Sequence, residues 1–206
     1  MKGVLDLLRR AAPREAAAQD SSLFTTAFAD QGVDPSMLIP WEARANEVGA
    51  KRLSGARGMV QLQALWARDK YMSRLDAEAV ALLEKFFDFA SVHADRDVIR
   101  QEEYGNFMIV VLSGSIAIDR YQPWGERMRL TEARPGDILG EMSLLDSGMR
   151  FSSCITLTEC DIAVLGAEAM DQMMRDQPQL AAALVALLAR KLSMRLRMVG
   201  ARLSER

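Results

Sequence analysis

One histidine and two cysteines among 206 residues already exclude several chemistries. His93, in an expected first strand, leaves no material for a histidine-based triad or a histidine-rich metal centre. Cys154 and Cys160 lack the second pair or adjacent histidine that a zinc site needs, and a reducing compartment disfavours a disulfide between them. They read as buried thiols facing each other across a strand hairpin. No apolar run approaches the ~18 residues of a membrane-spanning helix. Met1-Lys2-Gly3-Val4-Leu5-Asp6 interrupts its apolar character too early for a secretory signal. Neither charge sign dominates: 26 Lys and Arg against 28 Asp and Glu give a formal net charge of -2, so no bulk field draws the chain to nucleic acid or membrane. The expectations are a cytoplasmic chain that is not an enzyme and holds no metal.

What is present is a globular composition, 50% hydrophobic and 26% charged, over a length that suits one domain plus an appendage. Residues 1–40 mix alanine, charge and small polar groups, broken by Pro13, Gly32, Pro35 and Pro40, and read as a loosely ordered terminus. Val4, Leu5, Leu7 and Leu8 suffice for a short amphipathic turn. From Trp41 to Met72, Leu53, Val60, Leu62, Leu65 and Trp66 recur at irregular helical spacing. Gly49, Gly55 and Gly58 weaken that pattern, so two short helices are expected. Asp76 is placed to cap a helix reaching Asp88. The division is an N-terminal extension over 1–71 and a main domain over 72–206.

Seven strands are expected at Phe89–His93, Asp97–Arg100, Phe107–Leu112, Ser115–Tyr121, Met128–Glu132, Ser152–Leu157 and Asp161–Leu165. They are short, rich in β-branched residues and separated by turn signals such as Tyr104-Gly105-Asn106 and Ser113-Gly114. That spacing indicates a sandwich or jelly-roll barrel. Trp124, at the tip of a hairpin, is expected to fold back onto its sheet.

The segment Arg134–Thr156, RPGDILGEMSLLDSGMRFSSCIT, interrupts the strands. A turn leads through Gly140 and Glu141 into a short polar helix whose free N–H groups, at Met142 and Ser143, suit an anion. Arg150 adds a planar fork for phosphate oxygens, while Glu141 suits a ribose hydroxyl. The ordered set Leu112-Ser113-Gly114-Ser115-Ile116, Pro135-Gly136-Asp137 and Gly140-Glu141-Met142-Ser143-Leu144, with Arg150 at the matching spacing, resembles the cyclic-nucleotide-binding domain of catabolite activator proteins, protein kinase A regulatory subunits and nucleotide-gated channels. The resemblance runs from about Met72 to Arg206. It implies an α+β fold, an antiparallel jelly-roll barrel flanked by N-terminal helices and a long C-terminal dimerisation helix.

The resemblance also implies residue roles. Glu141 matches the ribose-binding glutamate, Arg150 the phosphate-binding arginine, and Gly140, Met142 and Ser143 the cassette backbone. Phe151, followed by Ser152, stands where the family usually has Ser or Thr, whose hydroxyl also reaches the phosphate. That change weakens a phosphate site by about 1 kcal/mol and leans the ligand away from cyclic GMP toward cyclic AMP. It also leaves open a pocket that takes another ligand, or a degenerate barrel that serves dimerisation and protein contact.

Ala167–Asp176 reads as a short helix, and Pro178 opens a longer one running to about Leu203. Val185, Leu188, Leu192, Leu196, Val199 and Leu203 form one apolar face; Leu180, Leu184, Leu187, Met194 and Met198 form another. One face covers the barrel and the other calls for a second copy, hence a homodimer. Lys191 resembles the basic residue that steadies the ribose glutamate, so it is expected to pair with Glu141, with Arg195 against the purine or in solvent. The basic run over 190–206 is expected to serve the helix dipole rather than sequence-specific DNA, because the resemblance ends where a helix-turn-helix would begin. The resulting expectation is a cyclic-nucleotide sensor, most directly for cyclic AMP, signalling to an unidentified protein partner.

Overall fold

The segment Phe107–Val111 is apolar at every position, and the fold uses both of its faces. Phe107, Ile109 and Val111 enter one core with Val92, Val98, Ile116, Ile162 and Val164, whereas Met108 and Val110 enter a second core with Leu62, Leu83 and Leu184. A strand alternates its side chains, so a run buried on both sides sits between two apolar layers. Here those layers are the barrel interior and a helical cover.

The computed structural model describes residues 22–204, so the expectation for Val4–Leu8 lies outside the described residues. The strands are β1 (Lys51–Arg52), β2 (Asp88–Val92), β3 (Asp97–Ile99), β4 (Phe107–Val111), β5 (Ile116–Tyr121), β6 (Arg127–Ala133), β7 (Ile138–Leu139), β8 (Ser153–Thr156) and β9 (Cys160–Gly166). They form two antiparallel sheets, in the orders β1-β2-β9-β4-β7 and β3-β8-β5-β6. All seven expected strands are present. β1 and β7 are additional, and two residues are too few to carry an alternating pattern.

Two sequence expectations fail here for topological reasons. Cys154 and Cys160 do not share a hairpin, because residues 157–159 carry the chain from one sheet to the other: Cys154 lies opposite Ile118 and Cys160 opposite Val92. Both are buried free thiols, and burial pushes Cys154 up to about 12, so it is neutral at pH 7. Trp124 does not fold back; it is 73% exposed, its indole N–H donating to Glu126 next to the turn.

The helices are α1 (Leu23–Asp30), α2 (Trp41–Val48), α3 (Gly55–Trp66), α4 (Ala77–Ala81), α5 (Glu141–Asp146), α6 (Ala167–Asp176) and α7 (Pro178–Ser204). The expected helix from Asp76 to Asp88 is shorter. Asp76 caps it through the Ala79 N–H at 2.7 Å, and after Ala81 it tightens into a 3-10 turn that sends Leu83, Phe86 and Phe87 inward. α3 buries Gly58, Met59, Leu62 and Trp66 against the barrel. Gly58 permits that approach: a Cβ there would lie 2.1 Å from the Phe89 ring.

α1 lies inside the stretch read as loose. The acceptors for α1 come from far along the chain: Asp171 on α6 receives the Phe24 and Thr25 N–H groups at 2.9 Å each and the Thr25 hydroxyl at 2.8 Å. This negative group at a helix start has no local sequence signature. On α7 the division is by length rather than by face. Leu180, Leu184, Leu187 and Leu188 are buried, while Met194, Leu196, Met198 and Val199 are each at least half exposed.

Candidate functional site

β7 delivers the chain to Gly140, whose φ of +73° turns it into α5. Other residues adopt that left-handed conformation only with strain, and a Cβ at Gly140 would lie 2.5 Å from Arg150 Nη1. The turn sets Glu141 at the start of α5, where its carboxylate is only 3% exposed. α5 ends at Asp146, and the chain returns through Arg150, also 3% exposed, into β8.

Arg150 is held by backbone. Its guanidinium donates to the Gly140 carbonyl and to the Phe107 carbonyl, each at 2.7 Å, and lies 4.6 Å over the Phe107 ring. Gly105 packs so closely that a Cβ would fall 2.6 Å from Arg150 Nε. The main chain of Arg150 is fixed too: its N–H donates to the Glu103 carbonyl at 2.8 Å, and its carbonyl accepts from the Glu102 N–H at 2.9 Å. Burial pulls the guanidinium down to about 10, so it remains charged at neutral pH.

Glu141 is held by α7. Arg195 donates to its carboxylate, forming an ion pair, and also to the Ile138 carbonyl at 2.5 Å. Burial pushes the Glu141 carboxyl above the ordinary range, against the opposing pull of Arg195. The expected Lys191–Glu141 pair is not formed. Lys191 instead donates to the Gly136 carbonyl at 2.8 Å, one helical turn earlier, and the longer fork of Arg195 reaches the acid.

The other expected residues divide by exposure. Ser143 is buried, Ser152 half-buried, and Met142 44% exposed. Phe151 is 52% exposed and covered on one face by Arg120, whose guanidinium lies 4.0 Å over the ring and donates to the Phe151 carbonyl at 2.5 Å. The structure therefore brings Gly140, Glu141, Arg150, Lys191 and Arg195 together around β7 and the start of α5. Gly105, Phe107 and Arg120 complete the surroundings. Sequence marked Gly105 only as a turn and Phe107 only as a strand residue, because their contact with Arg150 depends on long-range pairing.

The N-terminal helices touch the same segment. Gln31 donates to the Asp146 carbonyl at the end of α5, at 2.7 Å. Arg44 on α2, 1% exposed, pairs with Glu47 at 2.6 Å and with Glu103, the residue whose carbonyl holds the Arg150 N–H. Among the described residues no group of His, Cys, Asp and Glu is arranged to hold a metal ion, and no helix is long and apolar enough to cross a membrane.

Comparison with known proteins bears on the fold and on the stretch that holds this cassette. The CRP-like cAMP-activated global transcriptional regulator of Mycobacterium tuberculosis is 29% identical over 131 residues, covering 64% of this chain and 58% of that protein. The chain thus spans little more than half the length of that relative. A cyclic nucleotide-binding domain from Methylobacillus flagellatus has the same fold, with a TM-score of 0.69 over 74% of this chain and 86% of that one, at 23% identity. The Thermus thermophilus catabolite activator protein matches with a TM-score of 0.55 over 63% of this chain and 62% of that one, at 28% identity. The cyclic nucleotide-binding domain family model matches residues 89–177. That stretch holds nearly all of β2, then β3 to β9, the cassette with Glu141 and Arg150, and α6, so the likeness to the cyclic nucleotide-binding domain family takes in the whole barrel core.

Proposed function

We propose that this chain is a cyclic-nucleotide sensor, most directly for cyclic AMP, that performs no chemistry and signals through a change of shape. One observation carries the reading: a charged guanidinium and a carboxylate are both buried in one cassette, yet neither is the other's partner. Burying two charges is costly, and separately supported buried charges are characteristic of sites that meet a charged or polyhydroxyl ligand. In this reading Arg150 takes the cyclic phosphate, with the Met142 and Ser143 N–H groups beside it, and Glu141 takes the ribose hydroxyl. Gly140 provides the turn, Phe151 and Ser152 border the phosphate, and Lys191 and Arg195 are the α7 residues closest to the nucleotide. Signal leaves through α1 and α2, bonded to both ends of the cassette, or through α7 to a protein partner. The exposed end of α7 supports a homodimer. DNA contact is not part of the proposal.

A thermal-shift series with cyclic AMP, cyclic GMP and a cyclic dinucleotide tests it. A ligand at a hundred times its Kd stabilises the fold by about 2.7 kcal/mol, so cyclic AMP should raise Tm by several degrees and more than the others. No shift with any of the three would remove the sensor reading.

The alternative is a barrel kept for dimerisation and protein contact. It is favoured by one observation: the Arg150 guanidinium is already bonded to two carbonyls and Glu141 to Arg195. Unchanged melting with every nucleotide, in a chain that still dimerises, would select it.

A further inference from the structure

The side chains that α7 sends to the cassette form a clip. Lys191 and Arg195 are four residues apart and so share one helix stripe. They bind three successive points of the segment over 136–141: Lys191 the Gly136 carbonyl, Arg195 the Ile138 carbonyl and the Glu141 carboxylate. β7 lies within that segment, and α5 starts at its end. Among the described residues the last buried α7 leucine is Leu188; beyond it Leu192 is half-buried, and the polar contacts of Lys191 and Arg195, with an Arg190–Asp69 ion pair at 3.1 Å, hold the helix.

The clip also closes the site. Two open cavities flank this part of the surface. One, of about 590 Å³, is lined by Arg100, Gln101, Arg120 and Tyr121 among others; the second, of about 400 Å³, by Trp66, Gly136, Lys191, Arg195 and Met198 among others. Neither is lined by Glu141 or Arg150. Arg195 forms part of the wall of the second cavity, and its guanidinium occupies the carboxylate of Glu141. A hydroxyl donor from outside has to take the same oxygens.

We infer that Arg195 is a latch, which must leave Glu141 before a nucleotide enters, so that ligand binding releases the end of α7. This rests on the sensor reading above and adds its regulation. The sequence expectation placed Arg195 against the purine, where its loss would weaken binding; a latch predicts the opposite sign. A ligand that must first displace a bound group is weakened by the fraction of protein in which that group is already displaced. Removing Arg195 removes the competitor. It also frees residues 192–201 from the cassette without touching the apolar packing of the first half of the helix.

The experiment is calorimetric titration of cyclic AMP into the full chain, as wild type and as Arg195→Ala, with Arg195→Gln as a second variant that keeps side-chain length. Amide hydrogen exchange over residues 192–201 is measured without nucleotide on the same samples. The latch predicts at least tenfold tighter binding in both variants and faster exchange of those amides. Heat with the variants but none with the wild type would support it equally. Equal or weaker binding in both variants, with wild type binding normally, would overturn the latch and leave the sensor reading standing. No heat with any of the three proteins would overturn both.

Discussion

Arg150 shows how much of the site is decided by single residues. A guanidinium is planar and carries five donors, and here two of its bonds end on main-chain carbonyls that strand pairing and a glycine turn hold in place. Gly105 leaves no room for a larger residue against it. Gly105→Ala should therefore lower stability by about 1–3 kcal/mol through overpacking, read as a reduced urea midpoint with an unchanged slope. Phe151 is the contrasting case. Half exposed and stacked only on Arg120, it should tolerate Phe151→Ser within about 1 kcal/mol. A larger loss would show that the ring supports the cassette. If the hydroxyl regains a phosphate contact, the same variant should bind cyclic AMP severalfold more tightly than wild type by calorimetry.

Elements dock through a few polar anchors set in apolar surfaces, and Asp161 on β9 is the best defined of them. It receives hydrogen bonds from Ser91 on β2 and from Gln61 and Arg57 on α3, the last two at 3.2 and 2.8 Å. Burial pushes its carboxyl up, but the Ser91, Gln61 and Arg57 contacts outweigh that and leave it below the ordinary range. A carboxyl whose folded pKa lies below its unfolded value, about 3.9, contributes stability that is fully present above that value and lost as pH falls through the folded one. Asp161→Asn should thus cost about 1–3 kcal/mol at pH 7, with the gap to wild type closing below pH 4 in urea titrations. A gap that persists at pH 3 would assign the loss to packing. Gly58 is read best at this scale too. In the sequence it is a helix-weakening residue, worth about 1 kcal/mol relative to Ala. In the fold it is the point where α3 meets Phe89, so Gly58→Ala should destabilise despite the better helix propensity.

These cases mark what the sequence made legible. Short runs rich in β-branched residues, bounded by turn signals, exposed the strands from Phe89 to Leu165, and the Pro-Gly-Asp, Gly-Glu and Arg150 spacing exposed the cassette, since each signal lies within a few neighbouring residues. What stayed hidden depended on contacts across long stretches of chain: the Asp171 acceptors that begin α1, the Gly105 seat of Arg150, the change of sheet between Cys154 and Cys160, and the choice of Arg195 over Lys191 for Glu141. Family resemblance supplied the expected pair of Lys191 and Glu141, and geometry replaced it because Lys191 is one turn nearer Gly136.

Over the whole molecule, two cores stabilise a barrel whose cassette is gripped from both ends of the chain. α1 and α2 reach Asp146 and Glu103, and α7 reaches Gly136, Ile138 and Glu141. A ligand that rearranges the cassette must disturb both grips, which is how binding would be communicated to a partner. The far half of α7 leaves Leu196 73% and Val199 52% exposed, a stripe that a second copy would cover. Sedimentation velocity should find a dimer for wild type and a monomer for Leu196→Glu combined with Val199→Glu, with the melting temperature of each barrel little changed. A monomeric wild type would reject the dimer.

The central claim is that Glu141 and Arg150 form a cyclic-nucleotide site, and calorimetry of cyclic AMP with wild type, Arg150→Ala and Glu141→Ala tests it most directly. Saturable one-site heat for wild type is predicted, with loss of most affinity in Arg150→Ala and a penalty of about 1–3 kcal/mol in Glu141→Ala. Identical binding by all three proteins, or none by wild type, would contradict the account.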